Sequence, residues 1–224
     1  MKSAIVLLSG GMDSLVTAAI AVSSCAEVNF LHVSYGQRTE SKERECFELL
    51  CNHYHPKRAQ VFDMHWLGEI GGSALTDQSI ALELSGKGNG IPVSYVPFRN
   101  ANLICAAVSW AEVIGADSIW LGAVEEDSSG YPDCREVFLD AMQRTIELGT
   151  TTEILIRIIT PILHKSKAEI VKLGIELSAP FVYSWSCYQD NETACGICDS
   201  CRLRLKAFAA AGSCDPIPYR IWGI

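Results

Sequence analysis

The chain has 224 residues, 49% hydrophobic and 20% charged, with ten cysteines and a formal net charge of −8. These proportions fit one large globular domain, or one domain with an appendage, and the acidic balance argues against sequence-independent binding of DNA or RNA. No stretch approaches the roughly 18 apolar residues of a membrane span, and the first apolar run breaks at Ser9 in a polar glycine turn rather than a leader cleavage site, so a cytoplasmic location is the default expectation.

Ala4-Ile5-Val6-Leu7-Leu8 reads as a β-strand and Leu15 to Ala21 as a helix. Between them lies Ser9-Gly10-Gly11-Met12-Asp13-Ser14, a tight turn that opens onto the helix N-terminus. Such a corner is an anion site, because the first N–H groups of a helix lack internal partners and its dipole favours negative charge. The two glycines permit a left-handed backbone and close approach, and Ser9 and Ser14 add hydroxyls. Asp13 is the unusual member. A carboxylate beside phosphate is repulsive unless a cation such as Mg²⁺ lies between them. No Gly-Lys-Ser/Thr follows, so this is not a Walker loop, and the dinucleotide fingerprint lacks its third glycine. The six residues resemble the PP-loop of the N-type ATP pyrophosphatases, which use ATP to adenylate an oxygen and release pyrophosphate. An ordinary strand–turn–helix corner is the plainer alternative.

Val28 to Val33 is the next expected strand. Ser41 to Tyr54 follows as a helix with Cys46, Leu49, Leu50 and His53 on one face, and Ala59 to Met64 as a third strand. Strand–helix units at this spacing imply right-handed crossovers and a doubly wound parallel α/β sheet. Periodicity fades from His65 to Val96, apart from a possible short helix over Ser79 to Leu84. The stretch reads either as a lid on the nucleotide side or as a plain flexible insertion. Asn102 to Gly115 is an apolar helix ended by its glycine, and Ser118 to Ala123 a fourth strand. Arg135 to Leu148 is a helix, Glu153 to Ile159 a fifth strand, and Ser166-Lys167-Ala168-Glu169 a capping box opening a helix to Leu177. Ligands of doubly wound sheets bind beyond the carboxyl ends of the strands. Here those ends lead into Ser9–Ser14, Tyr35-Gly36-Gln37-Arg38, Glu125–Arg135 and Pro161–Lys167.

Cys187, Cys195, Cys198 and Cys201 fall within fifteen residues, with Gly196 giving backbone freedom between them. In a reducing compartment such a cluster means metal more often than disulfides. Four thiolates at short spacing suit a closed, structural Zn²⁺ site, and an iron–sulfur cluster is the other physically allowed occupant. The six scattered cysteines are expected to be small buried hydrophobes. Arg202, Arg204 and Lys206 follow on a helix, either meeting phosphate or, the favoured reading, forming a solvated face. The expected layout is an α/β domain over 1–183 and a metal-binding segment over 184–224 packed on it.

Further stretches sharpen the resemblance. Tyr35-Gly36-Gln37-Arg38, Val96-Pro97-Phe98-Arg99-Asn100, Asp127 to Arg135 with Gly130-Tyr131-Pro132-Asp133-Cys134-Arg135, Thr160-Pro161 with Lys167-Ala168-Glu169, and the cysteine knot together resemble the 7-cyano-7-deazaguanine synthases. These are the nitrile-forming enzymes of the queuosine and archaeosine pathways. The likeness runs from about residue 4 to about residue 206. It implies a carbon–nitrogen ligase that uses ATP, Mg²⁺, Zn²⁺ and ammonia to turn 7-carboxy-7-deazaguanine into the nitrile through adenylated carboxylate and amide, and it implies a homodimer. It further implies cofactor contacts over Leu8, Ser9, Gly10, Gly11, Met12, Asp13, Ser14, Leu15, Val16, Thr17 and Ala18. Asp13 would sit near Mg²⁺, and Lys167 and Arg99 would neutralise developing charge. Tyr131 would stack on the base, Asp133 accept from its N–H groups, Cys134 line the pocket and Arg135 pair with the carboxylate. Each has a bland alternative: an exposed helix lysine, a structural ion pair, a plain turn. A nucleophilic Cys134 would need an activating neighbour. The chain departs from the family pattern in the Tyr188–Ala194 link and in Ile162–Ser166, where Lys165 competes with Lys167. The tail from Ser213 carries no motif. The rivals are a PP-loop tRNA thiolase or lysidine synthetase, and a non-catalytic nucleotide-binding or zinc-scaffold protein.

Overall fold

The alternation within the first strand sets the architecture. In β1 (Ser3–Leu7), Ala4 and Val6 belong to one apolar cluster and Ile5 and Leu7 to another, and all four are buried. A strand buried on both faces needs helices on both faces. The computed structural model, which describes residues 2–82, 90–125, 130–151 and 155–221, has that three-layer form. Its sheet is β3-β2-β1-β4-β5, every pairing parallel, with β2 at Glu27–Ser34, β3 at Arg58–Asp63, β4 at Ser118–Leu121 and β5 at Arg157–Ile159. One layer holds α1 (Met12–Ser24), α2 (Glu40–Tyr54), α6 (Lys167–Glu176) and α7 (Asp199–Ala210); α4 (Arg99–Ile114) and α5 (Glu136–Gly149) form the other. The short α3 (Trp66–Ile70) follows β3 in a stretch read from sequence as irregular. Among the described residues no helix is long and apolar enough to cross a membrane.

The expected strands and main helices are present within a few residues. The capping box is complete: Ser166 accepts from the Glu169 N–H while Glu169 accepts from the Ser166 N–H. Gly115 ends α4 in the left-handed conformation, at φ 72°. The face of α2 differs from expectation. Cys46, Phe47 and Leu50 are buried and His53 is exposed, because the sheet lies one residue around the helix from the assumed stripe. Residues 79–82 are irregular, and the rest of the short helix expected there lies outside the described residues, as do the first residues of the expected fifth strand and Asp127–Ser129 of the Tyr131 stretch. Cys105 and Cys214 are exposed, against the expectation of buried thiols, since Cys105 sits on the outer side of α4 and Cys214 in the tail.

From β1 the chain winds outward to β2 and β3, then crosses to β4 on the other side. The connections therefore diverge between β1 and β4, and at that switch point a crevice opens beyond the carboxyl ends of both strands.

Candidate active site

The crevice holds a cavity of about 870 Å³, within the range of small-molecule sites. Its floor is the turn between β1 and α1. Gly10 has φ 87°, and a Cβ there would stand 2.8 Å from the Glu43 carbonyl oxygen, so both conformation and space demand glycine. The hydroxyls form one ring: the Gly11 N–H donates to Ser9 Oγ (3.2 Å), Ser9 and Ser14 hydroxyls meet at 3.0 Å, and Ser14 donates to the Gly11 carbonyl (3.0 Å). Gly122, just past β4, backs the first turn of α1 so closely that a Cβ would meet the Asp13 carbonyl carbon and the Ser14 nitrogen at 2.9 Å. Among the described residues no side chain caps α1, which leaves its first N–H groups turned to the cavity.

Leu8, Ser9, Gly11, Met12, Asp13 and Ser14 line the cavity. Gly10 stands behind it, its carbonyl accepting from the Trp185 N–H at 2.8 Å. Leu15, Val16, Thr17 and Ala18 do not reach the cavity; they are wholly buried, because only the first turn of α1 faces the crevice and the next turns enter the core. Lys167, the first residue of α6, donates to Asp13 Oδ2 at 2.9 Å. The pair offsets the dipole cost of a cation at a helix start. Asp13 Oδ1 is buried with no partner among the described residues. Lys165 does not line the cavity, so of the two candidate lysines Lys167 is the one at the site.

Arg99 opens α4 behind Phe98, whose left-handed backbone (φ 55°) is unfavourable for a bulky residue. The guanidinium donates to the Tyr35 hydroxyl at 3.0 Å and lies 5.6 and 5.8 Å from the Tyr35 and Tyr131 rings. Tyr131 is buried, donates to Ser94 at 2.8 Å and packs against Tyr95. Asp133, 2% exposed, caps α4: its Oδ2 accepts the Asn100 N–H at 2.9 Å, while Oδ1 has no partner among the described residues. Asp133 lies behind the lining rather than in it. Burial first, then the Asp133 charge, pushes the Cys134 thiol up to about 11, so it is a neutral wall group and no thiolate nucleophile. Arg135 lines an adjoining cavity of about 510 Å³ that shares Gly90, Val124, Gly130, Tyr131 and Cys134 with the main one.

Sequence reasoning passed over Glu43. It lines the cavity, and its two carboxylate oxygens accept from Gln37 and Thr39, each at 3.0 Å. Burial pushes its carboxyl up to about 6, against the lowering effect of those hydrogen bonds. Glu43, Cys46, Phe47 and Leu50 stand at helical i, i+3, i+4 and i+7 positions. A charge on that apolar stripe was the available signal.

The four cysteines of the knot are buried, their sulfurs within 4.8 Å of one another. Around one zinc ion at about 2.3 Å, tetrahedral sulfurs would stand about 3.8 Å apart, and Cys195 and Cys201 are at 3.9 Å. Backbone N–H groups of Gln189 and Cys195 donate to the Cys187 sulfur, and that of Cys198 to the Cys195 sulfur. Such donors stabilise thiolates. Gly196 turns the chain at φ 79°. Cys187 and its neighbour Tyr188 reach the main cavity, so the knot forms part of its wall.

The expected solvated face of α7 is corrected at Arg204, which is 1% exposed. Its guanidinium binds both Asp215 oxygens, at 2.7 and 3.0 Å, and donates to Ser184, Ser186 and the Phe181 carbonyl. Asp215 also accepts from the Tyr219 hydroxyl and the Ile217 N–H. The motif-free tail therefore clamps the knot to the fold. Arg202 and Lys206 line the main cavity.

Comparison with known proteins agrees with this geometry. Among solved structures, a 4-thiouridine synthetase in an RNA complex with bound ATP shares the fold at a TM-score of 0.50 and 17% identity, over 94% of this chain and 50% of that one. The 7-cyano-7-deazaguanine synthase of Chlorobaculum parvum is 56% identical over 97% of this chain and 96% of its own length. That of Chlorobium chlorochromatii is 55% identical over 96% and 95%. The family described as queuosine biosynthesis protein QueC matches residues 3–212. With that match over nearly the whole chain, and a parallel sheet, glycine turn and cysteine knot beside it, the chain belongs to the QueC family.

Proposed function

We propose that the chain is an ATP-dependent enzyme that converts 7-carboxy-7-deazaguanine and ammonia into 7-cyano-7-deazaguanine. The observation that carries this reading is the meeting of α1's free N-terminus, the Asp13–Lys167 pair, Arg99 and the Tyr131 ring in one cavity, in a chain so similar to synthases of that name.

A carboxylate oxygen is a poor leaving group, and adenylation makes it a good one. Dehydrating the amide meets the same difficulty, so one nucleotide site serves both steps. In this reading the N–H groups of Met12 to Ser14 and the two serine hydroxyls bind the phosphates of ATP. Asp13 would be the ligand for Mg²⁺, for which its Oδ1, without a partner among the described residues, is available. Lys167, beside it, neutralises charge developing on the transferred group. Tyr131 stacks on the deazaguanine, and Asp133, behind the cavity wall, fixes the start of α4 and so positions Arg99. Arg99 holds the substrate carboxylate bidentately, while Arg135, in the adjoining cavity, stands on the approach. The four cysteines hold Zn²⁺, which closes the knot and fixes the wall formed by Cys187 and Tyr188. The acidic balance supports a free base as substrate rather than one carried on tRNA.

The test is exchange of labelled pyrophosphate into ATP. It should require Mg²⁺ and 7-carboxy-7-deazaguanine and ignore tRNA. Exchange that depends on tRNA and ignores the deazaguanine acid would move the chain to RNA modification.

A further inference from the structure

Three acidic side chains among the described residues line the main cavity: Asp13, Asp199 and Glu43. Asp13 is held by Lys167 at 2.9 Å, and Asp199 opens α7 next to Cys198 of the knot. Glu43 has neither arrangement. Its near neighbours among the described residues are two neutral donors, with Arg99 acting at longer range. Those donors are themselves fixed. The Tyr35 N–H donates to Gln37 Oε1 at 2.9 Å, which turns the amide so that its Nε2 faces Glu43. The turn of α2 that carries Glu43 packs directly on Gly10 of the phosphate-type loop. Each carboxylate oxygen accepts one hydrogen bond, which leaves lone pairs for a ligand proton.

We propose that Glu43 is the base of this site, taking the protons that leave nitrogen in both halves of the reaction. The inference rests on the function proposed above. When ammonia adds to the adenylated carboxyl, a C–N bond forms, the C–O bond to adenylate breaks, and adenylate departs with the electron pair. One proton must leave nitrogen. When the adenylated amide becomes the nitrile, the second C–O bond breaks in the same sense and two protons leave nitrogen in turn. Each passes to a Glu43 oxygen and then to solvent, so no oxidant or reductant is needed.

A base works best when its proton affinity lies near the working pH, and burial brings the Glu43 carboxyl to about 6. The titratable and charged groups that act on it are Glu40 and Cys46 of its own helix, Tyr35 beyond β2 and Arg99 of α4. A carboxyl that must be ionised to act loses its function as pH falls through that value.

The experiment compares the full-length chain with Glu43→Gln, Glu43→Asp and Thr39→Val. It reads substrate-dependent pyrophosphate exchange, and amide and nitrile formation by mass spectrometry, across pH. Exchange precedes any loss of a proton from nitrogen. Glu43→Gln should keep exchange within about threefold yet slow nitrile formation by about 10²-fold or more. The wild-type rate should fall below pH about 6, and that limb should vanish in Glu43→Gln and persist at lower rate in Glu43→Asp. Thr39→Val removes a hydrogen bond that favours the carboxylate, so the limb should move to higher pH. Should Glu43→Gln fail to fold, the other two variants carry the test. Nitrile formation by Glu43→Gln at the wild-type rate, an unshifted limb in Thr39→Val, or parallel loss of exchange and nitrile in folded variants overturns the assignment. A wild-type chain that exchanges no pyrophosphate with the deazaguanine acid refutes the proposed function itself, before any variant is made, and removes this inference with it.

Discussion

Replacing Asp215 with alanine takes away half of a fully buried ion pair. The Arg204 and Asp215 side chains are 1% and 0% exposed, so solvent does not screen what is left. Arg204 loses two hydrogen bonds, at 2.7 and 3.0 Å, and the Tyr219 hydroxyl loses this acceptor. Breaking such a pair costs about 3–5 kcal/mol, because the remaining charge stays where water cannot reach it. Ser184, Ser186 and the Phe181 carbonyl still accept from Arg204, which puts the expected cost near the lower end, about 3 kcal/mol. With a urea slope of about 2 kcal/mol per molar, the unfolding midpoint falls by about 1.5 M. Tryptophan fluorescence reads it, with metal content held fixed and the slope checked for constancy. The double variant Arg204→Met/Asp215→Leu leaves no stranded charge and should lie closer to wild type. A cost below about 1 kcal/mol for Asp215→Ala, or a double variant less stable than Asp215→Ala, would refute a buried stranded charge at Arg204.

Asp13→Ala should abolish ATP turnover with the melting temperature nearly unchanged; undiminished turnover would remove Asp13 from the nucleotide site. Gly122→Ala pushes a methyl into the backbone of Asp13 and Ser14 at 2.9 Å. It should weaken ATP binding by calorimetry about tenfold, roughly 1.4 kcal/mol, in a folded protein. Cys198→Ser should lose bound metal and thermal stability together, since metal binding and folding are coupled; metal analysis alongside melting checks both. With its thiol at about 11, Cys134 is about one part in a thousand thiolate at pH 8. Iodoacetamide should therefore label exposed Cys105 and Cys214 first, and mass mapping that finds Cys134 first would contradict its neutral state.

The parts legible in the sequence are those whose cause is local. Ser9–Ser14 declares itself because a strand, two glycines and a helix must make one kind of corner. The Ser166–Glu169 box is a four-residue device, and Cys195-x₂-Cys198-x₂-Cys201 fixes its own geometry. The missing parts are set by distance along the chain. Arg204 finds Asp215 only after the tail folds back, so as a helix residue among Arg202 and Lys206 it reads as solvated. Asp133 caps a helix that begins more than thirty residues earlier, and no spacing rule links it to Asn100. Leu15 to Ala18 are wholly buried behind the loop, because the helix turns them towards the core.

The most direct measurement is the mass of the base after the purified chain is incubated with ATP, Mg²⁺, ammonium and 7-carboxy-7-deazaguanine. The expected result is conversion of the acid to the nitrile, with ATP consumed only when the base is present. An unchanged acid, with ATP intact or hydrolysed without it, would show that the chain is not a nitrile synthase.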